Sequence, residues 1–290
     1  MSAMGVMVAF YIYSDPFYAP PQVLLNLPPP PTPAQGLRVM TLNLAHGRAT
    51  KFHQNLTRTP HIRTNLDAVA EMIRSAQVDI VALQELDAPS SWSGEFDHLQ
   101  YLSQRTGLSH HFHGLHVQRD TPKLAYGTGI LSRYPLHSLH SQAFDVNAFD
   151  TKGFVSVTAS TPQGEIDLVS LHLDFKRDGE RITQLDLLSE SLRRQQSPRP
   201  LLVSGDFNTS LEDPSSPLHS FSRQHHLSHG DFPYAGTYPS HAPYKHIDYL
   251  LGSQDIHLLS QWVLPTSVSD HRAVVLDLSL HSQTPSEFLP

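Results

Sequence analysis

From Leu37 onward the chain alternates short apolar runs with a few amphipathic helical stretches, and many of the runs end in a polar residue. This pattern limits the fold more tightly than any composition figure. "VDIVALQEL" is almost continuously apolar, as expected of a strand buried on both faces. "LRVMTLNLA" alternates instead, with Val39, Thr41 and Asn43 on one face and Met40, Leu42 and Leu44 on the other. "GTGILSRY", "GFVSVTAS", "EIDLVSLHLDF", "PLLVSG", "HIDYLLGS", "SQWVLP" and "AVVLDLSL" read as further strands.

Helical spacing separates some of them. Leu66, Val69, Ala70 and Ile73 recur on one face, with Thr64 and Asp67 at capping-box spacing. "DHLQYLSQRTG" closes on Gly107, a residue suited to a helix C-terminus. Ile182, Leu185, Leu188 and Leu192 form a stripe in the next helix, and Asp213 before Pro214 resembles a helix start. Many strands with helices outside them give a layered α/β or α+β fold. We find no repeat and no internal linker, so residues 37–290 read as one domain.

Residues 1–36 differ. "MGVMVAFYIY" is apolar but shorter than the roughly 20 residues that span a bilayer, and it lacks a basic start. "PPPPTPAQG" follows as a stiff spacer. Two readings stay open: an anchor or export remnant, giving an exported or membrane-associated protein, or a disordered start on a cytoplasmic one.

Bulk properties exclude more than they select. With 20 Lys and Arg against 27 Asp and Glu, the formal charge is -7. That weakens a binder that relies on a broad basic surface, although the 20 histidines would gain charge on acidification. Cysteine is absent, which excludes disulfides and thiolate zinc sites. No HExxH, GxSxG, GxxxxGK[ST] or GxGxxG is present, so zincin, serine esterase, P-loop and dinucleotide chemistries lose support. "SHHFHGLH", from His110 to His116, reads as a solvated loop, and Lys245 and His246 as an exposed edge.

The polar residues at strand ends carry the functional argument. Asn43, Glu85, His172, Asp206, Asn208 and Asp248 lie at or near the ends of apolar runs, and Asp270 and His271 directly precede the last one. Asp206 and Asn208, two apart, project together from an extended chain, with Gly205 letting the backbone turn. Each residue alone has a mild structural explanation as a turn, a cap or a satisfied core group. So many together, all needing partners if buried, point to one site.

With "LNLAHG", "ALQE", "YGTGILSRYP", "SLHLDF", "SGDFNTS", "HIDYLL" and "SDH" in this order, the chain resembles the endonuclease/exonuclease/phosphatase superfamily of metal-dependent phosphoesterases from Leu37 to Leu280. The resemblance implies a four-layer sandwich, two mixed β-sheets face to face with helices outside. It also implies a Mg²⁺-dependent hydrolase of phosphoesters, most of all phosphodiesters, with Mn²⁺ as a substitute ion. Glu85 matches the principal metal carboxylate, with Asn43 beside it and Asp270 as a second metal-side carboxylate. Asp206 and Asn208 match the pair that positions water and holds a phosphate oxygen. His172 matches the histidine on the scissile phosphate, and His271 the catalytic histidine that Asp248 orients. Tyr126 and Arg133 are candidates to line the substrate. Thr128 stands where the family motif often has Asn. The expected partner is a phosphoester substrate (nucleic acid, phospholipid head group or small metabolite), acted on by a monomer with no stable protein partner. The rival reading is a non-catalytic binder of phosphate-bearing ligands, for which a key position should be missing.

Overall fold

The computed structural model describes residues 36–51, 57–145, 151–233 and 235–280. The apolar stub and nearly all of the proline spacer therefore lie outside the described residues. The elements run β1 (Leu37–Asn43), α1 (Thr59–Ser75), β2 (Ile80–Asp87), α2 (His98–Thr106), β3 (His110–Asp120), β4 (Lys123–Ser132) and β5 (Leu136–Ala143). Next come β6 (Gly153–Thr161), β7 (Gly164–His172), α3 (Asp178–Gln195), β8 (Leu201–Asp206) and α4 (Leu218–Gln224). The chain continues through β9 (Leu227–Ser228), β10 (Asp248–Ser253), β11 (Ile256–Val263) and β12 (Val274–Leu280).

The strands form two six-stranded mixed sheets, ordered β11-β12-β1-β2-β4-β3 and β5-β6-β7-β8-β10-β9. Each has one parallel pair, β1 with β2 and β7 with β8, and α1 and α3 are the crossovers that such pairs require. Three apolar clusters make the layers. Met40, Leu42, Leu66, Val69 and Leu83 pack the first sheet against α1 and α2. Val39, Ile80, Val157, Leu168, Leu202 and Leu250 fill the space between the sheets. Val169, Leu171, Leu185, Leu188, Val203 and Phe221 seat α3 and α4 on the second sheet. This is the expected helix–sheet–sheet–helix sandwich.

Local chemistry moves several boundaries. α1 begins near Pro60, whose missing N–H suits a first turn, and the Thr64 hydroxyl bonds back to the Pro60 carbonyl inside the helix rather than capping it. Asp213 makes a turn by accepting from the N–H and hydroxyl of Ser215, and α4 starts only at Leu218. In α3, Leu185 and Leu188 are buried but Ile182 is 49% exposed. The histidine tract is an edge strand, β3, with His116 buried against the Thr128 hydroxyl at 2.9 Å. His246 is buried as well, stacked on Tyr249, while Lys245 stays exposed.

Candidate functional site

The two parallel pairs aim their C-terminal ends at one mouth. Asn43 lies opposite Gln84 in the first sheet, and His172 opposite Asp206 in the second, with Asp248 on the other side of Asp206. Between the sheets the lining changes from apolar Val39 and Leu168 to a polar step. There the Gln84 side chain meets Thr41 and donates to the Ser170 hydroxyl at 3.1 Å. Two residues beyond Thr41, Asn43 Nδ2 donates to Asp206 Oδ2 at 3.0 Å and ties the sheets together.

Backbone conformation shapes this mouth. A register shift between Leu83 and Leu86 makes a bulge where β2 meets β4, and Glu85 within it has φ of 47°. Bulges re-aim side chains in this way beside active sites. Asn208 (φ 52°) and His46 (φ 53°) also take the left-handed conformation, at a cost of about 1–3 kcal/mol each. Gly205 sits inside β8, not in a turn. Its φ is 145°, and a Cβ there would lie 2.0 Å from the Leu171 carbonyl oxygen. Only a glycine lets the two parallel strands close beneath Asp206 and His172.

Asp206 is the hub. It is 1% exposed, with Oδ2 near Asn43 Nδ2, His172 Nε2 (3.5 Å) and His271 Nε2 (3.7 Å), while Oδ1 accepts from the Asn208 N–H at 2.9 Å. Burial, helped by the neighbouring Asp248, raises its pKa to about 7 against the pull of His271. Burial opposes charge on His271, but Asp248 and Asp206 outweigh it and push the imidazole up to about 10. Asp248 holds His271 through Nδ1 at 3.0 Å and so fixes the ring orientation. His172 goes the other way, since burial and the ammonium of Lys152 hold it well below the usual range. Asn208 Nδ2 donates to the Leu173 carbonyl. Asp206, Asp248 and His271 present ligand atoms within 4.8 Å of one another, a set able to hold an ion.

Beside this hub lies a second pole with two carboxylates. Glu85 and Asp270 both face the guanidinium of Arg48, with Nη1–Oε2 at 3.5 Å and Nη2–Oδ2 at 2.6 Å. Burial works against the Glu85 charge, but His46, Lys152, His172 and Arg48 hold its pKa far below the carboxylate range. Burial raises Asp270, with Arg48 opposing. The Ser269 hydroxyl donates to the Asn43 carbonyl at 2.7 Å and locks the segment carrying Asp270 onto β1. His46 bridges Asp87 at 2.7 Å and Glu85 at 3.5 Å, Trp92 Nε1 donates to Asp87 at 2.8 Å, and the rings of His46, Trp92 and Tyr126 pack together.

The structure thus brings Asn43, Glu85, His172, Asp206, Asn208, Asp248, Asp270 and His271 to one mouth, with Tyr126 on its rim behind His46. Arg133 does not join them. It pairs with Asp79 at 2.8 Å, at the end of β2 and β4 opposite the mouth, so antiparallel pairing carries it away from these residues. Sequence reasoning missed His46, Arg48, Asp87, Trp92 and Lys152. "LNLAHGR" puts His46 and Arg48 three and five residues after Asn43, which was the available signal for those two; Lys152 had none. A recess of about 660 Å³ between α3 and residues 211–224 contains none of these residues.

A two-sheet α/β sandwich, with a buried acid–imidazole–amide set and a carboxylate pair at one mouth, defines the class. The chain belongs to the endonuclease/exonuclease/phosphatase family, whose model matches residues 40–271. It is 26% identical to the uncharacterized protein YbhP of Escherichia coli K12 over 200 residues, 66% of this chain and 74% of that one. An endonuclease/exonuclease/phosphatase from Beutenbergia cavernae superposes with a TM-score of 0.66 at 21% identity, over 85% of this chain and 72% of its own. The mannosyl-6-phosphatase of Bacteroides thetaiotaomicron gives 0.64 at 17% identity, over 84% and 100%. Sphingomyelinase C of Streptomyces griseocarneus gives 0.63 at 16% identity, over 83% and 99%. Among the described residues no helix is long and apolar enough to cross a membrane.

Proposed function

We propose that this protein is a Mg²⁺-dependent phosphodiesterase that cleaves by in-line attack of water. The observation that carries the reading is the buried Asp206 carboxylate ringed by Asn43, His172, Asn208 and His271, next to Glu85 and Asp270 converging on one positive group. The donor set fits the ion: Glu85, Asp270 and the Asn43 amide offer hard oxygens, which magnesium prefers with several waters retained. The guanidinium between the carboxylates marks a position built for a cation. When bound, the ion polarises a phosphoryl oxygen and neutralises developing charge.

The side chains supply the rest. Asp206, with a pKa near neutrality, accepts a proton from the attacking water. Asn43 and the Asn208 N–H fix its two oxygens. His271, charged and held by Asp248, donates to a phosphate oxygen as negative charge builds. His172, held toward its neutral form, donates a single N–H. None of the key positions is missing, which disfavours the non-catalytic binder. The test is hydrolysis with Mg²⁺ and with EDTA on DNA, RNA, sphingomyelin, inositol phosphates and a chromogenic diester. Turnover on at least one, abolished by EDTA and restored by Mg²⁺ or Mn²⁺, is expected; equal turnover in EDTA rejects the metal reading.

Two exposed aromatic residues favour a substrate larger than a free metabolite. Phe175 (54% exposed) follows His172 with Lys176 beside its ring. Tyr244 (73% exposed) bonds backbone to Tyr238, whose ring lies 4.8 Å from His271, and Lys245 sits beside both tyrosines. Covering such a ring is worth about 1.5 kcal/mol or more, roughly tenfold in binding. The double change Phe175→Ser with Tyr244→Ser is expected to raise KM for a polymeric or vesicle-borne diester by about tenfold or more. A small chromogenic diester should change little. Equal losses on both substrates would remove these residues from substrate contact.

A further inference from the structure

We propose that Arg48 and the metal ion are alternative occupants of one cation position, so that the ion binds by displacing the guanidinium. The inference rests on the reading of Glu85 and Asp270 as metal ligands. Arg48 Nη2 lies 2.6 Å from Asp270 Oδ2 and Nη1 lies 3.5 Å from Glu85 Oε2, so one planar group spans both carboxylates. Its Nε donates to the Lys51 carbonyl at 3.0 Å, which steadies the side chain in that pose. Arg48 is 17% exposed and follows the short 3-10 turn Ala45–Gly47, so the head group lies at the rim and has solvent to retreat into.

Sharing the position would set two cations against the same carboxylate oxygens, Glu85 Oε2 and Asp270 Oδ2. Magnesium takes its oxygens at about 2.0–2.1 Å in near-octahedral geometry. The Asp270 oxygen that faces it would still be bonded to a guanidinium N–H at hydrogen-bond distance. A fixed positive group would then bear on a divalent ion across that single carboxylate oxygen, and their repulsion favours exchange over sharing. The acidic surroundings explain why the chain supplies its own cation. Glu85, Asp87, Asp206 and Asp270 crowd the mouth, and His46 already bridges Glu85 and Asp87 on the other side. Without Arg48, the metal-free protein would hold Glu85 and Asp270 side by side with their repulsion less relieved.

Exchange has a quantitative consequence. If the guanidinium holds the carboxylates nine-tenths of the time (about 0.9 occupancy), only about a tenth of the molecules are competent, and the apparent Kd is about tenfold weaker than the intrinsic one. Removing the competitor tightens the site. The experiment titrates Mn²⁺ into metal-free wild type, Arg48→Gln, Arg48→Lys and Glu85→Gln, following free ion by electron paramagnetic resonance and melting each protein with and without Mn²⁺. Arg48→Gln is expected to bind about tenfold more tightly. It should melt lower than wild type without the ion and gain more on adding it, with Arg48→Lys in between. Glu85→Gln is expected to bind more weakly.

If Glu85→Gln weakens the ion while both Arg48 variants match or fall below wild type, the exchange is wrong and the metal site stands. If Glu85→Gln binds like wild type, the ion lies elsewhere and both readings fall. If Arg48→Gln does not fold, Arg48→Lys decides alone, since it keeps a charge but loses the planar two-armed reach. Unchanged affinity in that variant overturns the exchange.

Discussion

Asp206→Asn is expected to lower hydrolysis by about 10²–10⁴-fold, the usual contribution of a positioned base, while leaving the melting temperature unchanged or raising it. The two halves of that result have one cause. Asp206 is buried, and burial with Asp248 nearby lifts its pKa to about 7. A folded-state pKa above the unfolded value means that the fold holds the proton more tightly than the open chain. Stability associated with this group is therefore full at low pH and lost as pH rises through the folded value. At neutral pH and above, the native state carries a carboxylate that it disfavours, and an amide of the same shape removes that cost. The amide oxygen can still accept from the Asn208 N–H, but nothing at the position can take a proton from water. Steady-state rates and thermal melts on the same preparations check this. Rate near wild type would remove Asp206 from the chemistry. A melting temperature lowered by several degrees would mean that the charge with His271 holds the fold and that the rate loss has a second cause.

How much of this was legible in the sequence follows from what each kind of residue must do. The central strands read out correctly because β1, β2, β7 and β8 are buried on both faces over most of their length, and such strands are built mainly from Leu, Val and Ile. The polar residues that close them stood out against that background, which is why Asn43, Glu85, His172, Asp206, Asn208, Asp248, Asp270 and His271 could be gathered. β3 and β5 are edge strands with histidines and serines facing water, so the same logic has no purchase there. His116 carried no mark of burial because its partner, Thr128, lies on the neighbouring strand. Arg133 misled because nearness to a motif in sequence is not nearness to a site; seven residues of strand from Tyr126 to Ser132 carry it to the far end of the sheet. Arg48 was hidden for a different reason. A lone arginine five residues after a strand looks like any surface charge, and its relation to Asp270 spans 222 positions. Gly205 was noticed but explained wrongly: only the parallel pairing of β8 with β7 reveals that it makes room for the Leu171 carbonyl.

The largest stability effect is expected far from the mouth, at Asp277. Arg38 and Asp277 face each other across the β1–β12 pair with side chains 0% and 2% exposed. The guanidinium meets the carboxylate through Nε at 2.7 Å and Nη2 at 3.0 Å, and Nη1 donates to the Ala76 carbonyl at 2.9 Å. Trp262 covers the guanidinium from one side, and the Ser260 hydroxyl donates to the carboxylate. Taking both charges out of water costs most of what their attraction returns, so the intact pair adds little to net stability. Removing one member is another matter. Asp277→Ala leaves a permanently charged guanidinium inside the protein without its counter-ion, a loss of about 3–5 kcal/mol. Domains have only about 5–15 kcal/mol in total, so this change brings the chain close to unfolding at ordinary temperature. The reverse truncation, Arg38→Met, is expected to cost less, since an uncovered carboxylate can take up a proton and an arginine cannot shed one. The double change Arg38→Met with Asp277→Leu should recover most of the deficit, because an apolar pair of similar volume needs no partner. Urea unfolding of the two single variants and the double closes the cycle. A double variant no more stable than Asp277→Ala would mean that the hydrogen bond from Arg38 to Ala76, not the missing counter-charge, is what α1 and β1 depend on.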